Sequence, residues 1–318
     1  MRAEIEKLKD SPSFVCRLMY RVFWLLGQVL PARRRDAIRS CFFRWTGFRQ
    51  LWCRRVKEWG LYETSRSPRV IVSLTSYPKR IKTIHRVVEQ LLCQDFKPDK
   101  VVLWLGEDKF PNKEKDLPRA LLRLCDFGLT IGWTRDIRSY TKLIPALKEY
   151  PEDIIVTFDD DTLYRPDTLS RLYASYLKDP SAVHCHMCNQ IDVDGEGKVA
   201  PYNSWKQVRQ SGVKSYRHLL LGYGSVLYPP HIADEEIFNE SAFKSLSPFA
   251  DDLWFWAMVV KAGNKVLKVD DKGCPFSCEY CADQSDALAN VNVDGAARND
   301  EQLLAILSAY PEVWEKIK

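Results

Sequence analysis

Three consecutive acids, Asp159, Asp160 and Asp161, follow a short β-branched and aromatic run at residues 154–158. Such a run predicts a buried strand. Buried carboxylates without partners are costly, so this position needs water or a cation. If the strand alternation continues, the Asp159 and Asp161 side chains share one side and Asp160 lies on the other. Two carboxylates on one side fit a hard divalent ion that also holds substrate phosphates. A solvated acidic turn is the alternative.

Further polar side chains follow the predicted first and third strands. Residues 73–80 (Ser-Leu-Thr-Ser-Tyr-Pro-Lys-Arg) combine hydroxyls, an aromatic ring and a guanidinium, which together can grip a nucleotide base and its phosphates. Asp136 and Lys142 flank the segment after the third strand. An acid suits a ribose or uracil edge, and a lysine at a helix start can reach a phosphate oxygen. A surface ion pair explains these two residues equally well.

A second acidic pair, Asp251 and Asp252, begins an apolar helix. The helix dipole favours ionised acids at this end. One of the two could cap the helix while the other acts as a general base, although capping could also account for both. The histidines at positions 184, 186, 218 and 231 are predicted to be structural rather than metal ligands.

The elements that must position these residues alternate between strand and helix along residues 61–318. Alternation at this spacing predicts an α/β domain, a Rossmann-like, mostly parallel sheet flanked by helices, with ligands at the carboxyl ends of its strands. The predicted strands are 70–74, 101–105, 129–133, 154–158, 182–186, a short strand within 222–230, and 265–269. The predicted helices are 82–93, 117–124, 142–149, 169–177, one from 251 to about 262, and one capped at 299–301 that ends at 307.

Composition indicates a globular protein with one uneven feature. The 318 residues are 46% hydrophobic, enough for one large core plus a modest extension. The net charge of +5 comes from the N-terminal segment, because residues 1–60 carry fourteen Lys or Arg against five Asp or Glu. The ten scattered cysteines indicate a reducing compartment, with a zinc site formed by the 185–188 and 278–281 pairs as the alternative. Acids before the first apolar run argue against a cleavable signal peptide.

Residues 1–60 are predicted to form a basic amphipathic helical segment. The apolar run at 14–30 is short for a membrane span, and Arg17, Arg21 and Gln28 fall on one helical side. A second set of apolar positions recurs at helical spacing with arginines between them. This composition is typical of helices that rest on anionic lipid headgroups. The alternatives are packing against the chain's own domain or a second subunit in a homo-oligomer; nucleic acid is disfavoured because no binding motif accompanies the charge. The second set is Ile38, Cys41, Phe42, Trp45, Phe48, Trp52, Val56 and Trp59.

Five motifs occur in order along the chain: Ser-Leu-Thr-Ser-Tyr-Pro-x-Arg at 73–80, Tyr-Thr-Lys-Leu-Ile-Pro at 140–145, Asp-Asp-Asp-x-x-Tyr at 159–164, Gly-x-Gly-x-Val-Leu-Tyr-Pro-Pro at 222–230 and Ala-Asp-Asp-Leu-Trp at 250–254. Together they resemble the motifs of a group of bacterial glycosyltransferases of the GT-A class, similar to its family 2 members. The likeness covers about residues 69 to 270.

The resemblance implies a GT-A fold, with a nucleotide-sugar half at about 69–164 and an acceptor half at 165–318. It implies Mn or Mg held by Asp159 and Asp161, and a base from the Asp251 and Asp252 pair. Ser225 stands where a second glycine is expected, and Asp300 is a candidate for a further metal ligand. The residues implied to bind the nucleotide are Thr75, Tyr77, Arg80, Asp136, Lys142, Asp159 and Asp160.

The sequence therefore predicts a metal-dependent, inverting glycosyltransferase that moves a sugar from a nucleotide-sugar to a hydroxyl of a glycan or lipid-linked acceptor. The expected setting is lipopolysaccharide, capsule or related surface polysaccharide synthesis, with the chain in the cytoplasm on the inner face of the cytoplasmic membrane. A retaining glycosyltransferase, a nucleotidyltransferase and a non-catalytic, membrane-anchored sugar- or nucleotide-binding module are the alternatives.

Overall fold

The computed structural model of the chain describes residues 55–195, 197–270, 276–277 and 298–318. The predicted membrane-interface helices before residue 55 and the cysteines at 274, 278 and 281 lie outside the described residues. One compact unit begins at Arg55. Residues 55–60 are not helical, and Val56 is buried in the core of this unit. The prediction that the second amphipathic helix extends to Val56 and Trp59 is therefore wrong.

An eight-stranded sheet forms the centre of the unit. Its strands are β1 (Val70–Thr75), β2 (Lys100–Gly106), β3 (Leu129–Thr134), β4 (Ile154–Thr157), β6 (Ala182–Cys185), β9 (Lys214–Ser215), β11 (Val226–Tyr228) and β12 (Lys265–Lys268). Their order across the sheet is β3-β2-β1-β4-β11-β6-β12-β9. The first four strands along the chain pair in parallel, as do β6 and β12, whereas β11 is antiparallel to both β4 and β6, and β9 to β12.

Five short strands complete the β-structure of the described residues. A three-stranded antiparallel sheet has the order β10-β7-β8, and β5 pairs with β13. These strands are β5 (Thr162–Leu163), β7 (Cys188–Gln190), β8 (Lys206–Gln207), β10 (His218–Leu220) and β13 (Phe276–Ser277).

Helices cover both faces of the large sheet, because both faces are apolar. Ile71 and Ile155 face one core, while their neighbours Val72 and Val156 face the other, as expected for parallel strands buried on both sides. The first core is covered by α3 (Ile144–Glu149), α5 (Glu240–Leu246), α6 (Asp251–Lys261), α7 (Arg298–Ala309) and α8 (Pro311–Ile317). The second is covered by α1 (His85–Leu92), α2 (Arg119–Leu122) and α4 (Thr168–Tyr176). The predicted architecture, a mostly parallel sheet flanked by helices, is confirmed.

Several boundaries differ from the predictions for local reasons. Helix α1 begins at His85 rather than residue 82, because residues 78–84 form turns in which the Arg80 amide donates to the Tyr77 carbonyl at 3.0 Å. Strand β4 ends at Thr157, so the three acids lie in a turn. Helix α7 begins at Arg298, which places Asn299 inside its first turn rather than at the cap. Within the described residues, no helix is both long and apolar enough to cross a membrane.

Candidate active site

The acidic turn, residues 159–161, lies at the carboxyl ends of the parallel strands. The Phe158 amide continues the pairing with β1 by donating to the Ser73 carbonyl at 3.0 Å. The Asp159 amide then donates to the Tyr164 hydroxyl at 2.9 Å, and that hydroxyl donates to the Tyr223 carbonyl at 3.2 Å. Because Tyr164 is fully buried, it fixes the acidic turn against the single 3₁₀ turn Gly222–Gly224.

Arg80 binds two of the three acids. Its Nη1 lies 2.7 Å from Asp160 Oδ1 and 2.9 Å from Asp161 Oδ2, and the Ser76 hydroxyl donates to Asp160 Oδ2 at 2.6 Å. Burial raises the pKa of Asp160 to about 6 although Arg80 opposes the shift. The predicted alternation of the three side chains is wrong: Asp160 and Asp161 share Arg80 while Asp159 has another partner, because the strand has already ended.

Lys142 is the partner of Asp159, and it lies between the acidic turn and the start of α6. Its Nζ is 2.8 Å from Asp159 Oδ1 and 3.0 Å from Asp251 Oδ2, and its side chain is 8% exposed. The Ser73 hydroxyl donates to the Lys142 carbonyl at 2.5 Å, which fixes the lysine backbone to β1. One buried ammonium therefore connects the acids after β4 with those at the start of α6.

Gly222 lies against the same network. Its amide donates to Asp252 Oδ2 at 2.9 Å. A Cβ at this position would lie 2.7 Å from Lys142 Nζ and 2.8 Å from Asp252 Oδ1. Any side chain would displace these charged groups, so the network requires the close backbone approach that glycine permits.

The charge balance of the network favours an ionised lysine. Burial disfavours the Lys142 charge, but the carboxylates of Asp159, Asp251 and Asp252 outweigh burial and hold the pKa of Lys142 well above its ordinary value. We infer that Lys142 positions these acids. The expectation that it reaches a phosphate oxygen stays a prediction.

Asp252 is the member of the acidic pair that fits a general base. The N-cap of α6 is Ala250 and neither acid caps the helix, so the capping alternative fails. Burial and then the charge of Asp251 raise the pKa of Asp252 to about 7, against the effects of Lys142 and the Gly222 amide. Asp252 Oδ1 is buried without a hydrogen-bond partner in the part of the chain that the structure describes. An unpaired oxygen with a pKa near neutrality is suited to accept a proton.

The remaining predicted nucleotide-binding residues are only partly brought together. The Tyr77 ring centroid lies 5.5 Å from Arg80 Cζ, whereas the Thr75 hydroxyl donates to the Trp104 carbonyl at 2.9 Å. Asp136 accepts from the Arg138 amide at 2.7 Å and lies 3.8 Å from Lys109 Nζ. Among the described residues, no hydrogen bond or ion pair links Asp136 to the acidic turn or to Lys142.

Asp159 and Asp161 have the chemistry of ligands for a hard cation. Their side chains are 26% and 21% exposed, compared with 9% for Asp160. Mg²⁺ is usually held by one or two carboxylates, with substrate phosphates and water completing its shell. Over the described residues, no three His, Cys, Asp or Glu side chains form a ready metal site. Ligation by Asp159 and Asp161 therefore stays a prediction, as does a role for Asp300, whose Oδ1 accepts from the Tyr202 amide at 2.7 Å.

The four histidines that were predicted to be structural all have partners within the chain. His184 contacts the Ser175 hydroxyl at 2.9 Å, His186 the Thr168 carbonyl at 3.1 Å and His218 the Val266 carbonyl at 3.1 Å. His231 pairs with Glu152 at the surface. Cys185 and Cys188 are buried free thiols, and the zinc alternative also needs cysteines outside the described residues.

Three site residues had no assigned role in the sequence-based prediction. The Ser76 hydroxyl donates to Asp160, and the Tyr164 hydroxyl accepts from the amide of the acidic turn. Gly222 has no Cβ and so leaves room for the side chains of Lys142 and Asp252. Each belongs to a motif of the GT-A resemblance, so the motif was the available signal. Their contacts join segments far apart in sequence, which spacing alone does not show.

Comparison with known proteins gives structural likenesses only. No protein-family model matches the sequence, and no curated protein matches it. The fold is similar to that of the mannosyltransferase PcManGT from Pyrobaculum calidifontis in complex with GDP-Man and Mn²⁺, at 18% identity over 87% of this chain and 76% of that one, with a TM-score of 0.46. TarS from S. aureus gives 17% identity over 75% and 70% of the two chains and a TM-score of 0.44. The CMP:2-keto-3-deoxy-manno-octonic acid synthetase complexed with CTP gives 13% identity over 64% of this chain and 89% of that one, with a TM-score of 0.39. Because these values are low, the likenesses carry no argument about the activity of this chain.

Proposed function

We propose that the chain is a metal-dependent, inverting glycosyltransferase of the GT-A class that uses a nucleotide-sugar donor. The observation that supports this most is the Lys142 network, because it joins two chemically different acidic sites. On one side, Asp159 belongs to a partly exposed turn suited to a cation and a diphosphate. On the other, Asp252 has an unpaired oxygen and a raised pKa suited to a base. Sugar transfer needs both functions in one site.

In the proposed reaction, the acceptor hydroxyl gives its proton to Asp252 Oδ1 as its oxygen attacks the anomeric carbon of the donor sugar. The bond from that carbon to the diphosphate breaks on the opposite face, so the configuration inverts. Lys142 and the Gly222 amide hold the Asp252 region in place. Arg80, held by Asp160 and Asp161, keeps a guanidinium beside the position proposed for the diphosphate.

The metal, Mn or Mg, would be held by Asp159 and Asp161. When bound, it supplies positive charge that neutralises the leaving diphosphate. The nucleotide would contact Thr75, Tyr77 and, farther along the strand edge, Asp136.

A donor screen tests this proposal. The full chain is incubated with Mn²⁺ and UDP-, GDP-, CDP- and TDP-sugars, first for thermal stabilisation by mass action and then for product analysis. We expect one donor to stabilise the chain and to yield a nucleoside diphosphate, with an inverted anomeric configuration in the product by NMR. Release of pyrophosphate in a parallel reaction with a nucleoside triphosphate and a sugar phosphate would instead identify a nucleotidyltransferase, and retained configuration would contradict a base role for Asp252. Binding without any consumption of donor would identify a non-catalytic module.

We also propose that the chain works on the inner face of the cytoplasmic membrane, on a glycan or lipid-linked acceptor of surface polysaccharide synthesis. The support is the excess of nine positive charges in residues 1–60. Because the compact unit begins at Arg55, the matched truncation removes residues 1–54. We expect the full chain, and not the truncated one, to float with anionic liposomes. Equal flotation of both would refute the membrane role.

A further inference from the structure

Two guanidinium groups share one aromatic ring, that of Phe249, which precedes the proposed base Asp252 by three residues. Arg138 Cζ lies 5.2 Å and Arg298 Cζ 5.3 Å from the centroid of the Phe249 ring. The Phe249 amide donates to Gln302 Oε1 at 2.9 Å, which fixes the backbone of Phe249 against α7. We call Arg138, Phe249 and Arg298 the arginine cluster. Each cation–π contact stabilises its arginine only modestly, by roughly 0.5–1 kcal/mol at an exposed site.

Within the part of the chain that the structure describes, both arginines of the cluster lack an acidic partner. Across the described residues, neither Arg138 nor Arg298 forms an ion pair, whereas many other arginines, such as Arg80 and Arg171, do. The two Cζ atoms can be no farther apart than about twice their distance from the ring. Solvent screens the repulsion between two charges over such a distance. Within the described residues neither guanidinium donates a hydrogen bond, so the donors of both remain available to an anion.

A cavity of about 300 Å³ lies next to the cluster. It is formed between the end of α5 and the first turns of α7, and its walls include Phe249, Arg298, Gln302 and Glu301. Glu301 is exposed and forms no ion pair with Arg298 in the described part of the chain. The cavity therefore offers space for a small polar group next to a guanidinium.

Phe249 and Arg298 of the cluster belong to the proposed acceptor half, Arg138 belongs to the other half, and three chain connections link them to the proposed site. Phe249 precedes Asp251 by two residues, at the entry to α6. Arg138 begins the 3₁₀ segment that ends at Lys142. Arg298 precedes Asp300 by two residues, and Asp300 Oδ1 accepts from the Tyr202 amide at 2.7 Å.

The donor diphosphate has its own proposed position at the acidic turn and Arg80. We propose that the arginine cluster binds a phosphate group of the acceptor, so that the acceptor is a phosphate-bearing glycan or lipid-linked chain. This inference rests on the proposed function. Guanidinium groups bind phosphate through paired, charge-assisted hydrogen bonds, and two of them suit a dianion or a diester better than a neutral sugar.

Phosphate binding by the metal-free chain tests the cluster separately from the donor site. The full chain, treated with EDTA, is titrated calorimetrically with methyl phosphate. We expect Arg138→Gln and Arg298→Gln each to weaken binding about tenfold or more, since each removes charged hydrogen bonds. Arg209→Gln changes an exposed arginine without an ion pair among the described residues and should have no effect. Glu301→Gln should tighten the binding of methyl phosphate, because it removes a negative charge that repels the phosphate.

Equal affinities in all five proteins would overturn the inference. Binding of nucleoside diphosphates with Mn²⁺ by the same variants provides the second readout. If that binding is unchanged while methyl phosphate binding is insensitive to Arg138 and Arg298, the inference fails and the proposed function stands.

Two further probes identify the source of the phosphate. One is a set of vesicles that carry a polyprenyl phosphate, with binding measured as the excess over vesicles of equal anionic charge without it, because residues 1–60 are proposed to bind any anionic surface. The other is a soluble glycerol-phosphate oligomer. Arginine-dependent binding to the vesicles alone assigns a lipid-linked acceptor, and arginine-dependent binding to the oligomer assigns a phosphodiester chain. Binding to neither, or binding that Arg138→Gln leaves unchanged, refutes an acceptor phosphate.

Discussion

Asp252→Asn is expected to lower the kcat for donor consumption about 10²–10⁴-fold, the range that a positioned general base contributes. Asparagine keeps the size of the side chain and can still accept the Gly222 amide, but it cannot take a proton. The fold should therefore be retained while the chemical step is lost. Asp126→Asn is the matched control, because Asp126 is exposed on a 3₁₀ segment before β3, and it should leave kcat unchanged.

The pH profile of kcat gives the same assignment an independent readout. Only deprotonated Asp252 accepts a proton, and its pKa is about 7, so kcat of the wild-type chain should fall as the pH is lowered through about 7. Asp251→Asn removes a charge that raises this pKa, so the fall should move to lower pH. A profile that Asp251→Asn does not shift, or an Asp252→Asn variant with near-normal kcat, would exclude Asp252 as the base.

Lys142→Met is expected to lower the free energy of unfolding by about 3–5 kcal/mol, the usual cost of removing one partner of a buried ion pair. The change leaves Asp159 and Asp251 without the ammonium that lies within 3.0 Å of both. Urea unfolding near neutral pH measures the loss. Lys178→Met is the control, because Lys178 is exposed, and it should change the free energy of unfolding by no more than about 0.5 kcal/mol.

A double-mutant cycle shows whether the loss comes from the network. Lys142→Met combined with Asp251→Asn removes a cation and one of the anions it neutralises, so the double variant should lose less than the sum of the two single losses. Additive losses would mean that Lys142 and Asp251 do not interact. A Lys142→Met chain as stable as Lys178→Met would mean that the network does not stabilise the fold.

The central strands could be predicted from the sequence because their signal is local. Strands β1, β2 and β4 are buried on both faces, and such strands read as continuous apolar runs. The position of β11 in the sheet could not be predicted from such a local apolar run. It has three residues, Val226–Tyr228, and its antiparallel insertion between β4 and β6 is set by contacts with strands 40 or more residues away.

The acids of the site were predictable by type and place, but their partners were not. The Lys142 partners Asp159 and Asp251 lie 17 and 109 residues away in the sequence, so only the fold shows that one ammonium serves both. The roles of Asp251 and Asp252 depended on the start of α6. Because the cap is Ala250, both acids lie inside the helix, and Lys142 takes one of them while the other keeps an unpaired oxygen. A shift of one residue in a helix start is below what sequence patterns resolve.

The most direct test of the central claim is the binding of nucleoside diphosphates, measured calorimetrically with UDP, GDP, CDP and ADP in the presence of Mn²⁺ and then of EDTA. If Asp159 and Asp161 hold a cation that binds the donor diphosphate, one of these ligands should bind at least about tenfold more tightly with Mn²⁺. Asp161→Asn should abolish that difference and Asp126→Asn should preserve it. Binding that is equally tight with Mn²⁺ and with EDTA, or that Asp161→Asn leaves unchanged, would contradict the account.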